Sequence, residues 1–360
     1  MGKIFREGGE RFFSLEYIPE KTPYREHHIN ELYSYLDNEI KSGSFRPPIL
    51  LGPSGTGKTT VVNKTLKLIG MKWDKIITRN FNMMLVNSTY SAIRMICSFT
   101  TPIPDRGLSL NEIIERLYGT LEMDDSIYIV GLDDVDELLR RERGRILEIL
   151  TRVNEDYGVY RVFPIVVVRN IKPLYVLPDH IKSKIGGITI NFNPYSSKEL
   201  IEIVNERIEK GLNEDSITQN AINVSAIISE KIYGGNAREM INLIYKSSLY
   251  CEKKNIRRVT VETIRKVFFH EYYKHVKQDI RDTVKTNILS TIILSLDEDS
   301  YIIEDDRLDD IITEIHERYG YKKEEIIKNI RELIGRGYLA EKEGRILQIY
   351  LPKDIFLSYP

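Results

Sequence analysis

The chain has 360 residues, 29% of them charged, and its formal net charge is only −1. A near-neutral charge excludes a general electrostatic attraction to nucleic acid or to membranes, so such binding has to come from a local surface. The length allows two or three domains with their own cores. Cys97 and Cys251 lack the spacing of a disulfide or metal site, and no apolar run is long enough to span a membrane. These features predict a cytoplasmic protein, and its scarcity of glutamine is typical of thermophiles.

The first predicted element is a helix over residues 26–42, where apolar side chains recur on one face. Five short apolar runs then alternate with helical stretches. Because these runs are continuously apolar, they predict parallel strands covered on both faces, in an α/β fold. The predicted strands are Ile49–Leu51, Ile76–Thr78, Ile127–Leu132, Phe163–Val168 and Gly187–Phe192.

A complete phosphate-binding loop of the Walker A type follows the first predicted strand, over residues 52–59. Its glycines allow successive backbone N–H groups to point at one anion. Lys58 supplies a charge to the β- and γ-phosphates, and the hydroxyl of Thr59 can bind Mg²⁺. The loop therefore predicts that the chain binds a nucleoside triphosphate. The predicted contacts are Pro53, Ser54, Gly55, Thr56, Gly57, Lys58, Thr59 and Thr60.

Two carboxylates end the third apolar run, as in a Walker B strand. Asp133 is predicted to hold Mg²⁺, because a hard cation prefers oxygen ligands. Asp134 is predicted to orient or deprotonate the attacking water. The alternative is an ordinary strand followed by an acidic helix start, since aspartate is a good N-cap residue.

Two further polar residues stand at positions that suit phosphate chemistry. Asn170 follows the fourth apolar run and can reach a γ-phosphate or the attacking water, although asparagine is also common in turns. Arg238 stands early in a predicted helix after Gly234 and Gly235, where a guanidinium can face phosphate or, alternatively, solvent.

The remainder of the chain is predicted to be helical before it ends in a small mixed domain. Four helical patterns between residues 196 and 270 indicate an all-α lid. Helical patterns at 280–296, 307–319 and 322–335, followed by a hairpin-like run at 339–350, indicate a winged helix. The acidic run over 297–310 is expected to be a solvated connection between helices, with an interaction surface as the alternative. The predicted domains are a nucleotide-binding base (1–193), a lid (194–275) and a winged helix (276–360).

The order of these motifs resembles the archaeal origin-recognition and cell-division-control initiators, which are AAA+ ATPases of DNA replication. The resemblance extends over nearly the whole chain, through Tyr17-Ile18-Pro19, Pro23-Tyr24-Arg25-Glu26, and Asn193-Pro194-Tyr195. It implies an AAA+ domain, a lid and a winged helix that use Mg²⁺ with ATP or ADP. It also implies double-stranded origin DNA and replication proteins as partners. By resemblance, Tyr17, Ile18, Arg25 and Tyr195 contact nucleotide, Asn170 is sensor 1 and Arg238 is sensor 2.

The chain departs from that family at two places. The family usually carries Asp-Glu where this chain has Asp133-Asp134, and the shorter second side chain predicts slow hydrolysis. Lys182 and Lys184 stand where an arginine finger is expected, and lysine lacks the planar fork of a guanidinium. We therefore expect a weak ATPase, with a nucleotide-binding scaffold that does not turn over as an alternative.

The charge of the predicted winged helix bears on DNA binding. Residues 278–360 contain 12 Lys and Arg against 18 Asp and Glu, a net charge of −6, whereas residues 321–345 carry 7 basic and 5 acidic side chains. The basic excess predicts a DNA-binding face, with a mixed solvated surface as the alternative. The acidic domain also favours a second hypothesis, an AAA+ regulator or loader whose winged helix binds protein. The predicted DNA contacts are Lys322, Lys323, Lys328, Arg331, Arg336, Lys342 and Arg345.

Overall fold

The computed structural model describes residues 4–14, 17–104, 107–268, 283–295, 302–303, 305–335, 339–342 and 345–348. The chain divides into two compact units. One unit comprises residues 18–203 and 235–237, and the other comprises 1–17, 204–234 and 238–360 as far as these are described. The domain boundaries predicted after residues 193 and 275 stay predictions.

The first unit contains a five-stranded sheet in which all five predicted strands are present. The strand order is β2-β3-β4-β1-β5, and every pairing is parallel. All seven residues of β4 are buried, as continuous apolar runs require in a sheet covered on both faces. The strands are β1 (Ile49–Leu51), β2 (Ile76–Asn82), β3 (Ile127–Asp133), β4 (Val162–Val168) and β5 (Thr189–Asn191).

Helices cover both faces of this sheet and bury two apolar clusters. Phe163, Ile165 and Val167 of β4 belong to one cluster, whereas Val166 and Val168 belong to the other, because side chains alternate along a strand. The helix predicted over residues 26–42 is confirmed. The helices are α1 (Glu26–Ser42), α2 (Lys58–Lys72), α3 (Thr89–Cys97), α4 (Leu110–Met123), α5 (Asp136–Glu142), α6 (Arg145–Asp156), α7 (Lys172–Tyr175) and α8 (Asp179–Lys182).

The four helices predicted after the sheet are also present. In the second unit, a short 3-10 helix near the N-terminus (Gly9–Phe13) precedes them in sequence. Arg207 donates hydrogen bonds from its guanidinium to backbone carbonyls near that 3-10 helix, including that of Tyr17 at 3.1 Å. The helices are α9 (Ser197–Gly211), α10 (Gln219–Lys231), α11 (Ala237–Lys253) and α12 (261–268).

Three helices and a small antiparallel sheet lie in the region predicted to be a winged helix. The sheet has the order β6-β8-β7, so a third strand joins the predicted two-stranded wing. The helix α15 packs against its two neighbours and buries Ile326, Ile330 and Leu333. The elements are α13 (Thr283–Leu294), β6 (Ile302–Ile303), α14 (Asp305–Tyr319), α15 (Lys323–Gly335), β7 (Leu339–Lys342) and β8 (Arg345–Gln348).

The predicted acidic connection over residues 297–310 is wrong for part of its length. Ile302–Ile303 pair with β8, and the residues from Asp305 onward form the first turns of α14. Residues 297–301 and 304 lie outside the described residues. The two isoleucines supply the apolar pair that a short strand needs, even within a run of acidic neighbours.

Both cysteines lie in the interior. Cys97 and Cys251 are both free thiols and both buried. Burial raises the pKa of the Cys97 thiol to about 12 and raises that of Cys251 as well. Among the residues described, no helix combines the length and the apolar character that crossing a membrane demands.

Candidate nucleotide-binding site

The phosphate-binding loop connects β1 to α2 at the carboxyl edge of the sheet. Gly55 (φ 74°) and Gly57 (φ 91°) both have left-handed backbone conformations, which only glycine adopts without strain. A Cβ atom at Gly55 would lie only 1.7 Å from Oδ1 of Asn236. The helix α2 begins at Lys58 and has no side-chain hydrogen bond at its N-cap. Its first backbone N–H groups therefore form a site suited to an anion.

Lys58 is buried beside this loop. Its Nζ donates hydrogen bonds to the carbonyl oxygens of Gly52 and, at 2.7 Å, of Pro53. Burial lowers the pKa of Lys58, while the charges of Asp134 and Asp133 act to raise it. The ammonium is thus close enough to the end of β3 to interact electrostatically with both carboxylates, and this position suits a phosphate-binding lysine.

Asp133 ends β3, and the residue is 4% exposed. Its Oδ1 has no hydrogen-bond partner. Burial raises the pKa of Asp133, and the nearby hydroxyl of Thr59 acts to lower it. A buried carboxylate oxygen without a partner is costly unless a cation joins it. The residues present therefore fit a Mg²⁺ ion held by Asp133 and Thr59.

Asp134 has a left-handed backbone with φ of 53°. Among residues with a side chain, aspartate and asparagine tolerate this region best, whereas longer side chains are rare there. Its Oδ1 lies 3.5 Å from Nε of Arg169, the first residue after β4. This backbone conformation favours aspartate over the glutamate expected at this position.

Asn170 lies at the carboxyl end of β4 and is exposed. Its Oδ1 accepts a hydrogen bond from the backbone N–H of Lys172 at 3.0 Å, which forms a local turn into α7. The side chain is therefore at the predicted strand tip and also serves as a turn residue. Its role as a phosphate sensor stays a prediction.

Arg25 is buried behind the phosphate-binding loop, immediately before α1. Its guanidinium donates three hydrogen bonds to backbone carbonyl oxygens, at 2.8 Å to Thr56, 2.9 Å to Tyr24 and 2.8 Å to Asn193. Because only 6% of the residue is exposed, these bonds replace most of its hydration. Arg25 thus connects the loop to the segment after β5. Direct contact with nucleotide stays a prediction.

Tyr195 lies on the same side of the loop as Arg25. The centre of its ring is 4.0 Å from the guanidinium carbon of Arg25, and burial raises the pKa of its hydroxyl to about 12. A Cβ atom at Gly57 would lie 2.6 Å from the Tyr195 hydroxyl oxygen. The backbone N–H of Tyr195 donates to the carbonyl oxygen of Gly235 at 3.2 Å. Nucleotide contact by Tyr195 is likewise untested.

Three other predicted nucleotide contacts fall at or beyond the edge of this unit. Ile18 begins the unit and is 47% exposed, whereas Tyr17 and Arg238 belong to the other unit. Tyr17 donates a 2.8 Å hydrogen bond to Glu206, and burial raises the pKa of its hydroxyl. Arg238 is the second residue of α11. These three assignments stay predictions.

Sequence reasoning missed three residues that shape this site. Arg169 pairs with Asp134, and the buried carboxylate of Asp136 accepts hydrogen bonds from the backbone N–H of Arg169 at 2.9 and 3.1 Å. Asn236 contacts the loop at Gly55. The run Asp-Asp-Val-Asp gave a signal for Asp136, because a third acid at the start of a buried helix needs partners.

The predicted DNA contacts lie on α15 and on the wing. Lys322, Lys323, Lys328 and Arg331 are exposed, and Nζ of Lys323 donates to Thr313 at 3.0 Å. Two further predicted contacts, Lys342 on β7 and Arg345 on β8, are paired residues of the two antiparallel strands. The remaining predicted contact, Arg336, lies outside the described residues. DNA binding by this set stays a prediction.

The parallel sheet, the phosphate-binding loop and the acidic end of β3 define a P-loop AAA+ fold. A family model described as the Cdc6 AAA+ ATPase-type lid domain matches residues 201–268. The chain is 27% identical over 271 residues to an ORC1-type DNA replication protein of Desulfurococcus amylolyticus, covering 73% of this chain and 68% of that protein. It is 28% identical over 265 residues to ORC1-type DNA replication protein 1 of Sulfolobus acidocaldarius, covering 73% and 66%.

Solved structures share the fold over almost the full length. The Aeropyrum pernix ORC1 protein in complex with DNA matches with a TM-score of 0.68 at 20% identity, covering 100% of this chain and 98% of that one. The Aeropyrum pernix ORC2 protein in ADPNP-ADP complexes matches with a TM-score of 0.67 at 19% identity, covering 99% and 97%. The lid-domain match and the ORC1-type relatives support assignment to the Orc/Cdc6 family of AAA+ ATPases, in agreement with the resemblance seen in the sequence.

Proposed function

We propose that this protein is a DNA-binding replication initiator in which binding and slow hydrolysis of Mg-ATP act as a switch. The relatives are ORC1-type DNA replication proteins, and one structure of the same fold contains DNA. The observation that carries the nucleotide part is the partnerless oxygen of Asp133, next to Thr59 and near buried Lys58. Such a constellation is suited to a triphosphate with its metal ion.

Each side chain of the candidate site has a separate proposed role in binding or hydrolysing the nucleotide. The N-terminus of α2 and Lys58 receive phosphate oxygens, since the donors that Lys58 now gives to loop carbonyls suit phosphate equally well. Asp133 and Thr59 would hold Mg²⁺, which would neutralise charge on the phosphates. Asp134 is proposed to accept a proton from the attacking water. Asn170 and Arg238 are the proposed sensors of the γ-phosphate.

The DNA part of the proposal rests on exposed basic residues in and just before α15. Lys322, Lys323, Lys328 and Arg331 are within one stretch of ten residues and are all exposed. Basic side chains on a helix of this kind bind phosphates, and each contact releases counterions. Glu324 and Glu325 are exposed on the same helix, so the favourable field is modest.

Fluorescence anisotropy of a labelled duplex, titrated across salt with and without Mg-ATP, tests this proposal. We expect the duplex to bind, and the logarithm of its binding constant to fall linearly with the logarithm of salt concentration. The Lys328→Ala and Arg331→Ala variants should each reduce the slope by about 0.9 if each side chain neutralises one phosphate. Lys67→Ala, on an exposed lysine of α2, is the control and should leave the slope unchanged. Absence of binding at low salt with nucleotide present would overturn the DNA part.

A second candidate function is supported by the net charge of −6 over residues 278–360. An acidic domain repels the phosphate backbone, so the winged helix of a regulator or loader would bind a protein surface instead. Under this hypothesis the protein binds ATP but not duplex at any salt concentration. The anisotropy titration therefore separates the two candidates directly.

A further inference from the structure

Arg169 and Asp134 form an ion pair at the carboxyl edge of the sheet. They are the first residues after the neighbouring strands β4 and β3, and Nε of Arg169 lies 3.5 Å from Oδ1 of Asp134. The same Nε is 3.8 Å from Oδ2 of Asp136. The side chain of Asp134 is 18% exposed and that of Arg169 is 38% exposed. Partial burial makes such a pair stronger than an ordinary surface pair.

Two features of the backbone hold this pair in place. The backbone N–H of Arg169 donates to both carboxylate oxygens of Asp136, which fixes the start of the segment after β4. The left-handed conformation of Asp134 fixes the direction in which its short side chain leaves the chain. Both features fix the backbone positions from which the two side chains of the ion pair extend.

The pair also lies within electrostatic reach of the phosphate-binding loop. The charge of Asp134 acts to raise the pKa of the Lys58 ammonium, and the charge of Arg169 acts to lower it. A guanidinium and a carboxylate that both influence Lys58 are near the place where the γ-phosphate would be bound. The Arg169 side chain is therefore able to affect the chemistry proposed for Asp134.

We propose that Arg169 restrains Asp134 and so acts as a built-in brake on ATP hydrolysis. The inference rests on the proposed ATPase function. In that reaction the oxygen of water forms a bond to the γ-phosphorus, the bond from that phosphorus to the bridging oxygen breaks, and ADP leaves with its electron pair. Asp134 accepts the proton that the water loses. While the guanidinium holds Oδ1 of Asp134, water has to compete with it for the carboxylate, and turnover is slow.

The test compares ATP hydrolysis and nucleotide binding in Arg169→Met, which keeps the length of the side chain but removes its charge. Binding is measured separately with a fluorescent ATP analogue, and folding by thermal unfolding. We expect kcat to increase three- to tenfold, whereas KM and the Kd for the analogue change less than twofold. Arg169→Lys keeps a cation and should stay within twofold of the wild-type kcat. The double variant Arg169→Met/Asp134→Asn should have the same kcat as Asp134→Asn alone, because Arg169 acts on the reaction through Asp134.

A matched control removes a comparable cation elsewhere. Arg140→Met breaks the exposed pair of Arg140 with Glu137 on α5 and should not change kcat. An unchanged or reduced kcat in Arg169→Met, with the analogue still bound, overturns the brake. A reduction would show that Arg169 assists the reaction. Failure of the wild-type protein to bind the analogue would instead overturn the proposed nucleotide function itself, so the two failures are distinguishable.

Discussion

Nε of Arg25 donates a 2.8 Å hydrogen bond to the carbonyl oxygen of Thr56 in the phosphate-binding loop. The same guanidinium is held by Tyr24 and Asn193 and lies over the ring of Tyr195. The loop is therefore held in position by a residue that precedes Thr56 by thirty-one positions. Arg25 acts on the site by positioning the loop.

Arg25→Met is expected to lower the free energy of unfolding by about 3 kcal/mol, because one buried and two partly buried carbonyl oxygens lose a charged donor. Affinity for a fluorescent ATP analogue should fall as well, since the loop loses its support. Urea unfolding and an analogue titration measure the two effects. Arg79→Met is the control, because Arg79 also lies over an aromatic ring, Phe99, but is exposed. It should cost less than about 1 kcal/mol. An equal loss of stability and of analogue affinity in Arg25→Met and Arg79→Met would contradict the positioning role of Arg25.

Asp133→Asn is expected to abolish the effect of Mg²⁺ on nucleotide binding. In the wild-type protein, Mg-ATP at about one hundred times its Kd should stabilise the fold by about 2.7 kcal/mol, and chelating the metal should remove most of that gain. The variant should show the same thermal shift with ATP whether or not metal is present. Asp124→Asn, at the exposed end of α4, should behave as wild type. A metal-dependent shift that persists in Asp133→Asn would place the metal elsewhere.

The backbone of Asp134 predicts an unusual order of stability among substitutions. Asp134→Glu places a longer side chain at φ of 53° and should cost about 1 kcal/mol more than Asp134→Asn. Asp124 has a right-handed backbone, with φ of −86°, so Asp124→Glu should change stability by less than about 0.5 kcal/mol. Urea unfolding of the three variants measures these differences in the free energy of unfolding. If Asp134→Glu were the more stable member of its pair, backbone strain would not explain the choice of aspartate.

Asp37 on α1 should make stability depend on acid pH. Hydrogen bonds from Lys41 and Lys72, each at 2.6 Å from the carboxylate, lower its pKa from 3.8 to about 2. The carboxylate of Asp37 thus binds a proton less readily in the folded state than in the unfolded state. Its contribution to the free energy of unfolding is complete above about pH 5 and is lost as the pH falls toward 2. Both lysines are at least 40% exposed, so solvent screening reduces the effect to the order of 1 kcal/mol.

The measurement for Asp37 is the free energy of unfolding between pH 5 and pH 2.5. Asp37→Asn should be less stable than wild type at pH 5, and the difference should shrink as the solution becomes more acidic. Asp74→Asn, on an exposed aspartate, should follow the wild-type curve. A difference between Asp37→Asn and wild type that stays constant over this range would show that the charge of Asp37 contributes nothing.

The strands of the sheet could be predicted from the sequence because burial on both faces demands continuous apolar runs. The run from Phe163 to Val168 is one example, and its strand begins one residue earlier than predicted. The strand Ile302–Ile303 could not be predicted, since two apolar residues among acidic neighbours have no periodicity. Its existence depends on pairing with β8, which is distant in the sequence.

The positions of the candidate site residues were more predictable than their side-chain partners. The order of motifs along the chain located Lys58 and Asp133, because each stands at a fixed place relative to a strand end. The pairing of Asp134 with Arg169 depends on the sign of one backbone angle, which no sequence pattern specifies. The bonds of Arg25 to three carbonyl groups likewise depend on tertiary packing, because backbone acceptors leave no signature in the sequence.

The phosphate-binding loop has neighbours on several sides within its own unit. Arg25 bonds to Thr56, the Tyr195 hydroxyl lies against Gly57, and the backbone N–H of Ala237 donates to the carbonyl oxygen of Gly55 at 3.1 Å. A loop fixed in this way loses little conformational entropy when a ligand arrives, because its ordering is completed during folding. Nucleotide affinity is consequently sensitive to substitutions that never touch the nucleotide, and loosening any one of these contacts weakens binding through entropy.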